Sequence, residues 1–336
     1  MARTFGSEGV GFVFDARAFW LVSPGEGEIR PETVPDPGPG EVLVRTLHSG
    51  VSRGTETLVF QGRVPQSQWA TMRAPFQAGD FPAPVKYGYL NVGVVEIGPG
   101  HLRGRTVFSL FPHQTRFVVP VESVTVVPDG VPAARAVLTG TVETAVNAIW
   151  DAAPQLGDRI TVVGGGMVGS SVAAVLAGFP GADVQLVDAD PARKAVADAL
   201  GVDFALPADA LSGRDLVIHA SANPAGLVRC LELAAPERTV VELSWYGDRQ
   251  VALPLGEFFH SRRLTIRSSQ VGGIAPARGR SYAERLRLAL RLLRDDRFDA
   301  LVSGRSAFTE LPELLPRLAG GGLAALCHVI DYPAEN

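Results

Sequence analysis

Three glycines stand at spacings of two and three in the run Thr161-Val162-Val163-Gly164-Gly165-Gly166-Met167-Val168-Gly169. An apolar run precedes them and an Ala/Val-rich segment follows. A second apolar run, Val184-Gln185-Leu186-Val187, then stops on Asp188. Glycines so spaced between a strand and a helix form a dinucleotide-binding turn. Gly164 permits the tight turn, Gly166 lets a pyrophosphate approach the backbone, and Gly169 lets helix and strand pack closely. The N–H groups that open the helix, around Met167 and Val168, favour an anion. Asp188 lies 19 residues past Gly169, where a carboxylate accepts hydrogen bonds from the adenosine ribose hydroxyls. The chemistry implied is the binding of NAD.

These residues need a scaffold. A chain of 336 residues suits two domains. The first part, about 135 residues, reads as β-rich, with strand-like runs at Glu41–Val44, Val92–Ile97, Thr106–Leu110 and Phe117–Val121 between Pro/Gly turns. Gly62–Pro84, polar and broken by prolines, reads as a long loop or lid. One helix over Ala133–Ala152 leads into the fingerprint. Strands at Ile160–Val163, Val184–Val187, Leu216–His219, Val240–Ser244 and Leu264–Ser268 then alternate with helices at Ser170–Gly178, Pro191–Leu200 and Pro224–Leu233. That alternation predicts an α/β fold with a doubly wound parallel sheet. An amphipathic helix, Tyr282–Leu293, and a strand-like Leu326–Ile330 follow.

Composition excludes several classes. Hydrophobic residues make up 46% and charged residues 20%, as in an ordinary globular protein. The net charge of −4 gives no reason to expect a nucleic-acid partner. The arginines of Arg285–Arg297 alternate with leucines at helical spacing and read as a solvated helix face. Nothing resembles a signal peptide or a run of about 18 apolar residues, so no membrane association and a cytoplasmic location are expected. Cys230 and Cys327 are far apart, with no Cys or His at metal-ligand spacing, which argues against a disulfide or a structural zinc.

The order of a β-rich domain, a connecting helix, a βαβ domain and a return to the first resembles the medium-chain dehydrogenase/reductase superfamily, the zinc alcohol dehydrogenase type. The likeness spans nearly the whole chain. It rests on Pro39-Gly40-Glu41-Val42-Leu43-Val44, Ser49-Gly50-Val51-Ser52-Arg53-Gly54-Thr55-Glu56, Tyr87-Gly88-Tyr89-Leu90-Asn91-Val92-Gly93 and Gly164–Gly169. Ser52–Glu56, Phe111–Thr115, Glu143–Asn147 and Ser268–Gly272 look most like the subgroup containing bacteriochlorophyllide a dehydrogenase. The resemblance implies a GroES-like β-barrel domain over residues 1–136, completed by 272–336. It implies a Rossmann NAD-binding domain over 137–271, the cofactor lying in the cleft between the two. It also implies a homodimer, in which the edge strand Leu264–Ser268 pairs across a two-fold axis.

The departures from the family concern its metal. Zinc members carry a cysteine where Ser52 stands and Gly-His-Glu where this chain has Gly88-Tyr89-Leu90, and their third ligand falls near Arg135. Neutral serine and tyrosine oxygens are poor zinc ligands, so no metal is expected. Something else must then stabilise an alkoxide-like oxygen. Tyr89, at the histidine's position, is the candidate proton donor, with Glu56 as its relay and Ser52 as a second donor. Lys86 would lower the phenol pKa by its charge, and His113 would lie close to the predicted cleft. Trp245 and Tyr246 would give a small-molecule substrate flat apolar walls. By the same resemblance, Arg53 would meet the pyrophosphate, Thr139 the nicotinamide end and Arg193 the adenosine ribose. Arg193 would attract a 2′-phosphate, but Asp188 would repel one, and the balance favours NAD over NADP.

The reading that follows is a zinc-independent, NAD(H)-dependent oxidoreductase acting on a secondary alcohol or ketone. Two rivals stand beside it: an NADPH-dependent reductase of an activated C=C bond, and a non-catalytic nucleotide-binding protein. Asp188 weighs against the first, and the polar trio Ser52, Glu56 and Tyr89 against the second.

Overall fold

The structure is a computed structural model and describes residues 4–5, 12–275 and 278–333. The chain divides into two compact units, Met1–Gly140 with Val302–Asn336, and Thr141–Leu301.

The first unit is built on antiparallel strands. A long hairpin, Phe12–Ser23 with Glu26–Pro35, turns at Pro24-Gly25. The strand Glu41–Ser52 is the hub of a second sheet. It pairs with Asn91–Ile97, Arg116–Pro120 and Cys327–Asp331. The last of these is flanked in parallel by Val302–Ala307. Val42, Val44, Val95, Val107, Phe117 and Val119 alternate inward and form a core with Phe111, which stacks on Phe117. Glu41–Ser52 runs directly into the helix Arg53–Phe60. Between residues 62 and 84, where a loop was expected, the chain holds a 3-10 turn at Gln66–Gln68 and a short strand, Ala78–Gly79. Arg73 braces it by bonds to Asp80, 2.6 Å, and to the Gly79 carbonyl, 3.1 Å.

The expected helix over Ala133–Ala152 is interrupted. Ala133–Ala136 and Thr139–Ala152 are separate helices, and the Thr139 hydroxyl donates to the Ala136 carbonyl at the break. A threonine side chain that takes a nearby carbonyl competes with the backbone ladder.

The second unit holds six parallel strands in the order 3-2-1-4-5-6 along the chain. That is the doubly wound arrangement of a Rossmann fold, and its strands end toward the ligand side. Arg159–Val163, Asp183–Val187, Leu216–His219 and Thr239–Glu242 are buried through their centres, as strands of a parallel sheet are when helices cover both faces. Thr265–Ser268 closes one edge and pairs only with Thr239–Glu242 among the described residues.

This unit extends to residue 301, whereas residues 272–301 were expected with the barrel. Within it lies a buried ion pair. Arg285, on the helix Tyr282–Leu292, donates to Glu143 at 2.9 Å and to the Val271 carbonyl at 2.6 Å, and it also bonds Asn147. Arg285 is 1% exposed, so the expectation of a solvated helix face does not hold for this arginine. A helix that buries one guanidinium must follow the element that neutralises it.

The fingerprint turn is closed by sterics. A Cβ on Gly169 would lie 1.9 Å from the Gly164 carbonyl oxygen, and one on Gly164 would lie 2.6 Å from the Ser221 nitrogen. Gly169→Ala is therefore expected to destabilise the protein by about 1–3 kcal/mol through overpacking. A lower urea midpoint with an unchanged m value would show it.

Candidate functional site

In the barrel unit the hydroxyls of Ser52 and Tyr89 stand near one buried carboxylate, Glu56. Ser52 ends a strand and caps the helix Arg53–Phe60, but its side chain makes no capping bond. Its Oγ instead accepts from the Tyr89 hydroxyl at 2.7 Å. Tyr89 and Ser52 thus meet. Glu56 reaches back one turn, and its Oε1 accepts from the Ser52 backbone N–H at 2.7 Å. Its other oxygen takes His113 Nε2 at 2.9 Å. Glu56 is 5% exposed and His113 1%.

His113 Nε2 donates to the Glu56 carboxylate, and Nδ1 lies 2.7 Å from Ser49 Oγ. Ser49 Oγ lies 2.9 Å from the Tyr332 hydroxyl. Glu56 therefore fixes the backbone of Ser52 and anchors a buried chain through His113 and Ser49 to Tyr332. It does not bond the Tyr89 hydroxyl, which corrects its expected role as that phenol's relay. His113 is likewise interior.

Lys86 also falls elsewhere. Its Nζ donates to Glu32 Oε2 at 2.7 Å and Gln114 Oε1 at 2.6 Å and lies over the Trp20 ring. The phenol pKa is not lowered. Burial, followed by the charge of Glu56, pushes Tyr89 up to about 12, against hydrogen bonds with Ser52 and Thr55. At neutral pH Tyr89 is a hydrogen-bond donor, not a phenolate. Burial pushes the Cys327 thiol up to about 12 as well, and Cys230 is raised too; both are buried free cysteines.

These residues do not fit zinc. Of the positions that the resemblance sets against zinc ligands, Ser52 and Tyr89 present neutral oxygens already bonded to each other, Leu90 is apolar, and Arg135 is a buried cation. No cluster of three His, Cys, Asp or Glu side chains is placed to share a metal among the described residues.

In the second unit the helix Met167–Ala177 starts at Gly166 with no side-chain cap, so its first N–H groups point out of the helix end. A Cβ on Gly166 would meet nothing within 4 Å, which leaves room for a ligand against the backbone. Asp188 binds the turn itself: Oδ2 accepts from Gly165 N at 2.6 Å and Oδ1 from Asp190 N at 2.8 Å. Each carboxylate oxygen retains a second acceptor site for a ribose hydroxyl. Arg193 packs its stem near Gly165, with its guanidinium 3.5 Å from Asp190. Arg53, in the barrel unit, is half-buried and has no ion pair among the described residues. Thr139 is fully buried, and its hydroxyl is already committed to Ala136.

A group that sequence reasoning missed ends two adjacent strands of the Rossmann sheet. His219 Nδ1 lies 2.8 Å from Glu242, and His219 Nε2 lies 2.6 Å from Ser221 Oγ. Tyr246, expected as an apolar wall, donates its hydroxyl to Glu242 at 3.0 Å, while Trp245 is half-buried. Burial opposes ionisation of Glu242, but the bond and charge of His219 and the bonds from Ser244 outweigh it and hold the carboxyl below its ordinary value. Burial, with the charge of Glu242, raises Tyr246. The available signal was two polar residues, His219 and Glu242, closing apolar strands that the βαβ pattern makes neighbours.

No protein-family model matches the chain, and no curated protein matches it in sequence. Solved structures do match in fold. L-idonate 5-dehydrogenase from Escherichia coli superposes with a TM-score of 0.79 at 15% identity, over 96% of this chain and 99% of that one. 2R,3R-butanediol dehydrogenase from Bacillus subtilis gives 0.76 at 16% identity, over 95% and 100%. Acetophenone reductase from Geotrichum candidum, in complex with NAD, gives 0.74 at 19% identity, over 94% and 97%. The chain therefore has the two-domain fold of alcohol dehydrogenase-like medium-chain enzymes, a Rossmann domain with a GroES-like barrel.

Proposed function

We propose that this protein is a zinc-independent, NAD(H)-dependent oxidoreductase that interconverts a secondary alcohol and a ketone. The observation that carries the reading is the hydroxyl pair Tyr89–Ser52, at 2.7 Å, on positions that hold metal ligands in zinc dehydrogenases. The structural neighbours named above, two dehydrogenases and a ketone reductase, support the reaction class. The segments shared with the bacteriochlorophyllide a dehydrogenase-like subgroup support a place near that subgroup.

When bound, the nicotinamide supplies or accepts the hydride. The residues of the chain do the rest. Tyr89 donates to Ser52, which leaves the Ser52 hydroxyl proton free to meet a substrate oxygen that gains negative charge. The raised pKa of Tyr89 keeps it protonated behind Ser52. Glu56 holds the Ser52 backbone in place. On the nucleotide side, the N–H groups of Met167, Val168 and Gly169 would hold the pyrophosphate and Asp188 the ribose.

The test is a steady-state assay with NADH and NADPH against panels of ketones and enones, with and without a strong chelator. Ketone-dependent NADH oxidation that survives the chelator is expected. Turnover of enones with NADPH alone, or activity lost with a removed metal, would overturn the reading. Asp188→Gly is expected to weaken NAD and to shift preference toward NADP, because it removes the charge that repels a 2′-phosphate. Titration of both cofactors checks this. A wild-type protein that binds NADP more tightly than NAD would contradict the role given to Asp188.

A homodimer through the free edge of Thr265–Ser268 belongs to the same proposal. Light scattering is expected to give twice the chain mass of 35.5 kDa. A single species of one chain mass at micromolar concentration would exclude it.

A further inference from the structure

The arginine-rich helix of the second unit serves none of the chemistry above. Tyr282–Leu292 starts in a capping box between Ser281 and Glu284. Its inner side holds Arg285, Ala289 and Leu290, all buried. The Arg285–Glu143 pair fixes the rotation of the helix. The opposite face then carries Glu284, Arg287, Leu288 and Arg291, at positions i, i+3, i+4 and i+7.

That face is not flat. With Trp150, Arg278 and Arg280 it walls a concavity of about 680 Å³, within the size range of small-molecule sites. Arg278 is anchored by its guanidinium to the Trp150 carbonyl. Arg280 bonds Glu284 at 3.3 Å. Arg287 and Arg291 have no ion pair or hydrogen bond from their side chains among the described residues. Four guanidinium groups and one carboxylate give the lining a net charge of +3 (four minus one), in a chain whose overall charge is −4. Like charges one helical turn apart repel, so this arrangement gains from a counter-anion in the concavity.

The chemistry of the lining selects the anion. Guanidinium forks match the oxygen pairs of phosphate and bind them bidentately. Trp150 and Leu288 give the same space an apolar wall for a carbon skeleton. The pocket shares no residue with the fingerprint turn or with the Ser52–Tyr89 pair. We propose that this concavity is a second ligand site, taking a small organic phosphate whose phosphoryl group sits between Arg287 and Arg291 and whose organic part lies along Trp150.

The test uses calorimetric titration of inorganic pyrophosphate, inorganic phosphate and phenyl phosphate into the full chain and into Arg287→Ala/Arg291→Ala. Both substituted residues are exposed, and circular dichroism confirms that the variant folds. Pyrophosphate held by the fingerprint turn is common to both proteins, so the difference isolates this pocket. The wild type is expected to bind about tenfold or more tightly than the double variant, and the gap should narrow as salt rises. Phenyl phosphate should exceed inorganic phosphate in affinity, and Trp150→Ala should erase that excess. NADH affinity should be the same in all variants. Equal pyrophosphate binding by wild type and double variant would overturn the proposal. So would a change in oligomeric state on removing the arginines with no change in anion affinity, since that would assign them to a subunit interface.

Discussion

Ser52→Ala and Tyr89→Phe are each expected to lower kcat on the true substrate by about 10²–10³-fold, the usual effect of deleting a donor aimed at developing negative charge. NADH affinity and melting temperature should change little. Ser52 makes no side-chain capping bond to its helix, so the alanine removes no cap. Phenylalanine keeps the ring that packs edge-on against Tyr87, at 6.0 Å between centroids. Because the two hydroxyls act in series, the double variant should lose little more than the worse single one. Additive losses would mean that they act on separate atoms. If Tyr89→Phe retains more than about a third of wild-type kcat, the proton comes from elsewhere. The pH profile is a further check: with the phenol near 12, Tyr89 should add no limb to the kcat profile below about pH 10.

Arg285→Met is expected to cost about 3–5 kcal/mol of stability, because it strands the carboxylate of Glu143 in the interior. Glu143 is 3% exposed and Arg285 1%. Burial raises the Glu143 pKa, and the guanidinium pulls it part of the way back. Without Arg285 the folded-state pKa rises further. A carboxyl whose pKa is higher folded than unfolded binds more protons in the folded state, so its stability contribution falls as pH increases from the unfolded value through the folded one. The deficit of Arg285→Met should therefore be smallest in acid, where Glu143 is neutral in both states, and should grow as pH rises above the ordinary carboxylate range. The double substitution Glu143→Leu/Arg285→Met should recover much of the loss. Urea melts across pH check both statements. A deficit independent of pH would mean that packing, not charge, is what Arg285 supplies.

The glycine turn and the fold were legible in the sequence because they are written in short-range patterns. Gly164, Gly166 and Gly169 need particular backbone geometry within six residues, and the apolar runs around them have the length and spacing of strands and helices. The β-rich character of the N-terminal part was also visible. Its long hairpin, Phe12–Ser23 with Glu26–Pro35, was not assigned, since polar residues alternate through it without a clean period. Ser52 and Tyr89 could be paired only through a family resemblance, and that pairing says nothing of direction: which hydroxyl donates depends on the neighbours of each.

What the sequence determined alone was therefore local: the strands and helices of the second unit, the fingerprint, and the lack of ligand-type side chains at Ser52, Tyr89 and Leu90. What the tertiary structure decided was which polar groups meet in the interior. Arg285 joins Glu143 across 142 residues and Ser49 joins Tyr332 across 283. Lys86 turns to Glu32 instead of the phenol, and Glu56 turns to His113 and the Ser52 backbone. A buried charge or hydroxyl must find a partner wherever folding brings one within about 3 Å. That partner carries no mark in the neighbouring sequence.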